Sequence, residues 1–159
     1  MGELSHLDAS GAARMVDVSN KPASHRTAVA TGVLRTTAEV VELLRRDGLP
    51  KGDALATARI AGIMGAKRTP DLIPLCHQIA LSSVTVDFAM AGADVEITAV
   101  ARTTDRTGVE MEALTAVAVA GLALHDMIKA VDPAAVLDGV RLTRKEGGKT
   151  GLWTRPEGR

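Results

Sequence analysis

Four side chains in this sequence have the chemistry to move protons: Lys51, ahead of Gly52-Asp53; His77, after Leu75-Cys76; and the pair Asp126 and Lys129. Asp126 and Lys129 are three residues apart, so on a helix they meet across one turn, with His125 beside them. The ordinary reading of such a pair is an exposed ion pair of little energetic weight. The stretch before it is apolar over residues 113–124, however, which predicts partial desolvation suited to acid–base work. Lys51 stands at a helix entrance, where a cation opposes the positive end of the dipole, and that unfavourable placement points to function. A lone histidine is more often structural, and Cys76 beside His77 faces the other way in an extended chain, so a thiolate–imidazole nucleophile is not expected. His6, His25, His77 and His125 show no zinc-ligand spacing.

Two further groups bear on a ligand. The run Lys145-Glu146-Gly147-Gly148-Lys149-Thr150-Gly151 joins glycine-permitted turns to two lysines and can cradle phosphate, although it is not a P-loop. Glu110, Met111 and Glu112 open the helix that ends in Asp126 and Lys129, where acids offset the dipole. Glu112 and Asp126 are fourteen residues apart, roughly 21 Å along a helix axis. One small ligand does not span that distance. If both serve one reaction, the substrate is elongated or the site combines two chains.

The elements that must hold these groups follow from periodicity. Alternation over 27–35 predicts a strand. Thr36-x-x-Glu39 reads as a capping box for a helix that Gly48 closes. Asp53 is the expected N-cap of a helix over 54–67, ended by Pro70 and Pro74; Lys67 and Arg68 at its end serve equally as dipole caps or ligand contacts. Strands over 83–90 and 94–103 flank the Ala91-Gly92-Ala93 turn, a helix covers 109–131, and a last strand covers 136–143. The order β-α-α-β-β-α-β predicts an α+β fold, a ferredoxin-like antiparallel sheet with helices packed on one face. Residues 1–20 read as an N-terminal arm and 21–159 as a single catalytic domain.

Composition narrows the classes. The 159 residues carry 19 basic and 19 acidic side chains and only Phe88 and Trp153 as aromatics, which argues against a sequence-independent nucleic-acid binder. One cysteine excludes an internal disulfide, and Cys76 is expected free and half-buried. No apolar run reads as long enough to cross a bilayer and no signal peptide precedes the arm, so no membrane partner and a cytoplasmic location are expected. With 46% hydrophobic residues and so little aromatic bulk, much apolar surface is expected at subunit interfaces.

The sequence resembles the molybdenum cofactor biosynthesis protein C (MoaC) family, the cyclic pyranopterin monophosphate synthases. The resemblance is carried by Met15-Val16-Asp17-Val18-Ser19, Lys51-Gly52-Asp53, Ala56-Thr57-Ala58-Arg59-Ile60-Ala61-Gly62-Ile63, Ala66-Lys67-Arg68-Thr69 and Leu72-Ile73-Pro74-Leu75-Cys76-His77. It continues through Arg106-Thr107-Gly108-Val109-Glu110-Met111-Glu112-Ala113-Leu114-Thr115, Asp126-Met127, Lys129-Ala130-Val131 and Gly147-Gly148-Lys149, nearly the whole chain. Gln78, His125 and Asp105 depart from the residues usual in the family, without removing one given a catalytic role.

The resemblance implies a lyase that converts a cyclised dihydro-GTP, made by a radical GTP cyclase, to cyclic pyranopterin monophosphate with release of pyrophosphate. It implies Lys51, Lys129 and Asp126 as catalytic residues and Leu75, Cys76, His77, Met111 and Glu112 as substrate contacts. Arg26, Lys67, Arg68 and Lys149 are the candidates for its phosphates, with Mg²⁺ as a companion of the triphosphate and no protein-bound metal. It also implies a homohexamer with the site at a subunit interface. The rival reading is a nucleotide-binding regulatory module without turnover, which would need the cations but not the Asp126–Lys129 pair.

Overall fold

The computed structural model describes residues 4–46 and 53–159. A five-stranded antiparallel sheet has its strands in the order β2-β3-β1-β4-β5. Its centre is β1 (Ser24–Arg35), three residues longer at its start than alternation predicts. Ala28, Ala30 and Leu34 point to the buried face and pair with Ala101, Ala99 and Val95 of β3 (Asp94–Asp105), which are buried on the same side. The hairpin of β2 (Leu81–Ala91) with β3 turns at Gly92-Ala93, as expected, with Gly92 at φ 61° where a side chain would be strained. β4 (Val136–Glu146) outruns the expected strand, and its pairing with β1 shifts register twice. A two-residue β5 (Trp153–Thr154), absent from the sequence reading, closes that edge.

The helices cover one face, as expected. α1 (Ala38–Arg45) is capped by Thr37, whose hydroxyl accepts the Val40 N–H at 3.2 Å. The expected cap, Thr36, instead donates its hydroxyl to Asp132 at 2.7 Å, so a tertiary contact displaces the local box. The helix ends at Arg45 with Arg46 as its cap; Gly48, the expected cap, lies outside the described residues. α2 (Ala54–Lys67) begins as predicted, with the Asp53 carboxylate accepting from Ala56 N–H at 2.9 Å. Arg68 caps its end, and Pro70, expected to end it, sits in the first turn of α3 (Thr69–Leu72), where a missing N–H costs nothing.

α4 (Glu110–Ile128) is the central helix, ending before the expected Val131 and packing on α2, β1, β3 and β4. Contrary to the sequence reading, it is long and apolar enough to cross a membrane by length and composition; here it is the core helix of the fold. Its approach to α2 is close because small residues line the crossing. A Cβ on Gly62 would lie 2.8 Å from the Ala116 carbonyl oxygen. On the outer side of α2, Arg59 Nε donates to the Val86 carbonyl on β2, the sheet's edge strand, at 2.9 Å, and its guanidinium lies 5.6 Å from the Phe88 ring centre.

Candidate active site

The loop after α3 and the first turn of α4 meet around a cavity of about 270 Å³. Leu75, Cys76 and His77 supply one part of its wall, and Thr107, Gly108, Glu110, Met111 and Glu112 another, with His6 from the N-terminal segment. All five substrate-contacting residues expected from the resemblance therefore lie on one hollow. A Cβ on Gly108 would meet the Glu110 carboxylate, which would have to swing aside. Cys76 and His77, expected to face opposite ways, both line the cavity. The ring of His77 is engaged: Nε2 lies 2.6 Å from the Val16 carbonyl oxygen and donates to it.

Glu112 is the chemically unusual member. It is 3% exposed, and burial pushes its carboxyl up to about 7, with the neighbouring Glu110 charge acting in the same direction. A carboxyl poised near neutrality can both give and take a proton. The Cys76 thiol is pushed up as well, by burial first and then by the Glu112 charge, which lowers its share of thiolate.

A narrow crevice beside Gly108 and Glu110 leads on to Arg26, Lys145, Gly147 and Thr150. Across it the Lys145 ammonium holds the Glu110 carboxylate at 3.1 Å. Beyond lies a second hollow of about 590 Å³ walled by Lys21, Pro22, Ser24, Arg26, Gly148, Lys149 and Thr150. Arg26 is fixed through Nε, which donates to the Asp105 carbonyl at 3.2 Å. Gly147 (φ 95°) and Gly148 (φ 71°) let the loop press against β1: a Cβ on Gly147 would meet the His25 carbonyl, and one on Gly148 the Arg26 guanidinium. The Ser24 hydroxyl is buried at this hollow and has no hydrogen-bond partner among the described residues. A buried polar atom left unpaired is costly, and a bound ligand oxygen would satisfy it.

The other expected residues lie elsewhere. Lys129 Nζ and Asp126 Oδ1 form the predicted ion pair at 2.6 Å, but both side chains are 54% exposed. The expected desolvation is thus absent within one chain: the pair shares its helix face with Leu122, itself 63% exposed, rather than with the buried stripe. Lys67 and Arg68 are exposed at the end of α2, Arg68 beside a shallow hollow with Met64, Asp71, Leu72 and Val119. Lys51 lies outside the described residues. Sequence reasoning missed Ser24 and His6 as wall residues; it set Lys145 in a candidate phosphate cradle and Glu110 in the opening turn of α4 without pairing them. For Glu110 the pairing with Lys145 needs the register of β4 against the helix and left no local signal.

The MoaC family model matches residues 15–148. A Mycobacterium tuberculosis protein named cyclic pyranopterin monophosphate synthase 2 is 67% identical over 154 residues, covering 97% of this chain and 92% of the relative. The cyclic pyranopterin monophosphate synthase of Streptomyces coelicolor is 65% identical over 152 residues, 96% of this chain and 89% of the relative. That of Novosphingobium aromaticivorans is 53% identical over 157 residues, 99% and 100% of the two chains. Likeness of this extent, on a chain whose cavity gathers the residues that carry it, leaves one assignment: the chain belongs to the MoaC family.

Proposed function

We propose that this protein is a cyclic pyranopterin monophosphate synthase of molybdenum cofactor biosynthesis, a phosphorus–oxygen lyase acting in the cytoplasm on the cyclised dihydro-GTP that a radical GTP cyclase supplies. The observation that carries the reading is the trough itself. A ring-sized cavity holding a carboxyl poised near neutrality shares Gly108 and Glu110 with the Glu110–Lys145 crevice, which in turn shares Arg26 and Thr150 with a cationic hollow that also holds Lys149. A nucleotide has that shape: a ring with titratable nitrogens at one end and phosphates at the other.

In this reading Glu112 grips and exchanges protons with the base-derived ring. Arg26, Lys149 and the Ser24 hydroxyl take the phosphates, stabilising the charge that grows on departing pyrophosphate as the cyclic phosphate closes. Lys51, Lys129 and Asp126 carry the proton transfers of ring opening and reclosure, with Asp126 holding Lys129 by their 2.6 Å contact. Mg²⁺ would accompany the substrate's triphosphate as its counter-ion.

Lys129 and Asp126 sit at the opposite end of α4 from Glu112, which supports a site assembled from two chains in a homohexamer. Ile60, Met64, Leu72 and Leu122, all more than half exposed on the helices, are the apolar surface such an assembly would cover. Reading the sheet as β4-β1-β3-β2 with α2 and α4 on one face supports the ferredoxin-like assignment. The exposure of the Asp126–Lys129 pair is also what a regulatory nucleotide-binding module without turnover would show. Incubating the protein with the cyclised dihydro-GTP and following pyrophosphate separates the two: release confirms the synthase, and binding without release leaves the module. Lys51→Ala and Lys129→Ala are expected to abolish release by folded protein, and near-normal turnover in either would remove that lysine from the mechanism.

A further inference from the structure

One member of the ring cavity's wall comes from outside the α+β domain. His6 lies on the segment before β1, which buries almost nothing of its own: Leu4 is 76% exposed and Met15 52%. Yet the segment is internally ordered. Leu7 bridges Ala13, Asp8 N–H donates to the Ala12 carbonyl at 2.9 Å, and Arg14 N–H donates to the His6 carbonyl at 2.8 Å. The Asp8 carboxylate ties the turn by accepting from the Ser10 N–H at 2.8 Å, the Ser10 hydroxyl at 2.6 Å and the Ala12 N–H at 3.0 Å.

Besides the turn at its own end, where Lys21 N–H donates to the Val18 carbonyl, two hydrogen bonds join residues 4–20 to the body of the molecule among the described residues. One is His77 Nε2–H to the Val16 carbonyl, and the other is Arg106 Nη1 to the Ser19 carbonyl at 3.1 Å. A stiff hairpin without a core, latched at two polar points, opens and closes at little cost. The latch, moreover, is a wall residue of the cavity that the hairpin helps enclose.

We propose that residues 4–20 are a strap latched on His77, and that through it His6 positions the ring-bearing end of the substrate by accepting a hydrogen bond from a ring N–H. The inference rests on the synthase reading for the identity of that ring. The chemistry of the acceptor follows from the hairpin: His6 Nδ1 lies 3.3 Å from the Arg14 carbonyl, which can only accept, so Nδ1 carries the hydrogen. Nε2 of the neutral ring is then left as an acceptor in the cavity wall, facing a ligand class rich in N–H donors, as a guanine-derived ring is.

Two measurements on the full chain test this. For the cyclised dihydro-GTP, His6→Ala raises KM about tenfold, as loss of one well-placed hydrogen bond would, while kcat holds. His6→Gln, which keeps an acceptor at a similar reach, restores KM. Without any substrate, Asp8→Ala loosens the hairpin from outside the cavity and raises the rate at which iodoacetamide alkylates Cys76 several-fold, with thermal stability unchanged. An unaltered KM in His6→Ala overturns the positioning role, and an unaltered Cys76 rate in Asp8→Ala overturns the strap. If the wild-type protein releases no pyrophosphate, the synthase reading falls and takes the substrate role of His6 with it, and the alkylation rates alone decide the strap.

Discussion

Glu112 is unusual because of where its helix turns, since burial is the largest influence on its carboxyl. Its pKa, about 7 in the folded chain against an ordinary 4.5, means that folding takes up a proton. The contribution to stability is fully present below about pH 4.5, where the carboxyl is neutral in folded and unfolded chains alike, and is lost as pH rises through about 7. At about 1.4 kcal/mol per pH unit the loss is on the order of 3 kcal/mol at most. Denaturant titrations from pH 4.5 to 7.5 should therefore show wild-type stability falling with pH and Glu112→Gln falling much less. This residue could be picked out in the sequence: Glu112, Ala116, Ala120, Leu124 and Ile128 recur every four residues and all are buried, whereas Asp126 falls on the stripe with exposed Leu122. Asking which residues are near an apolar run favoured Asp126 and Lys129. Asking which share its face selects Glu112. The Ser24 hydroxyl and the Lys145 partner of Glu110 depend on contacts between distant strands and helices, which local pattern cannot express.

At the level of elements, the strong periodicities were legible and the ends were not. The Asp53 cap, the hairpin turning within Ala91-Gly92-Ala93 and the long apolar helix stand where the sequence put them. Thr36 lost its cap to Thr37 because Asp132 offers it a better partner, and β5 is too short to have a period. Removing the cap with Asp53→Ala should cost about 1 kcal/mol of stability, measured by denaturant unfolding. The α2–α4 crossing should be far less forgiving. Gly62→Val would drive a side chain into the Ala116 carbonyl, a backbone atom that cannot swing aside, and should lower stability by about 2 kcal/mol or more.

On the scale of the whole molecule, the distance between the two ends of α4 governs what one chain can do. A chain altered only at Glu112 and a chain altered only at Lys129 each spoil a different end of a shared site. If that site joins two protomers, refolding Glu112→Gln and Lys129→Ala together should recover about a quarter of wild-type pyrophosphate release, the share of sites that random pairing leaves intact. Either variant alone should stay inactive, and a mixture no better than its parts would place both ends of the chemistry within one chain. The low aromatic content and high alanine content pointed to apolar surface at subunit interfaces, and Ile60, Met64, Leu72 and Leu122 are exposed in the single chain. Composition did not foretell which face would carry that surface, since that depends on how α2 and α4 rotate against the sheet.

Arg59 bears on the fate of this chain at high concentration. A free strand rim invites a stranger's backbone, the first step of cross-β growth. Here a guanidinium already occupies the carbonyl of Val86 and leans on Phe88, so a docking strand would have to evict a charge before it could zip along the sheet. Replacing that one side chain would turn a guarded border into a template, with fibrils or turbidity as the price.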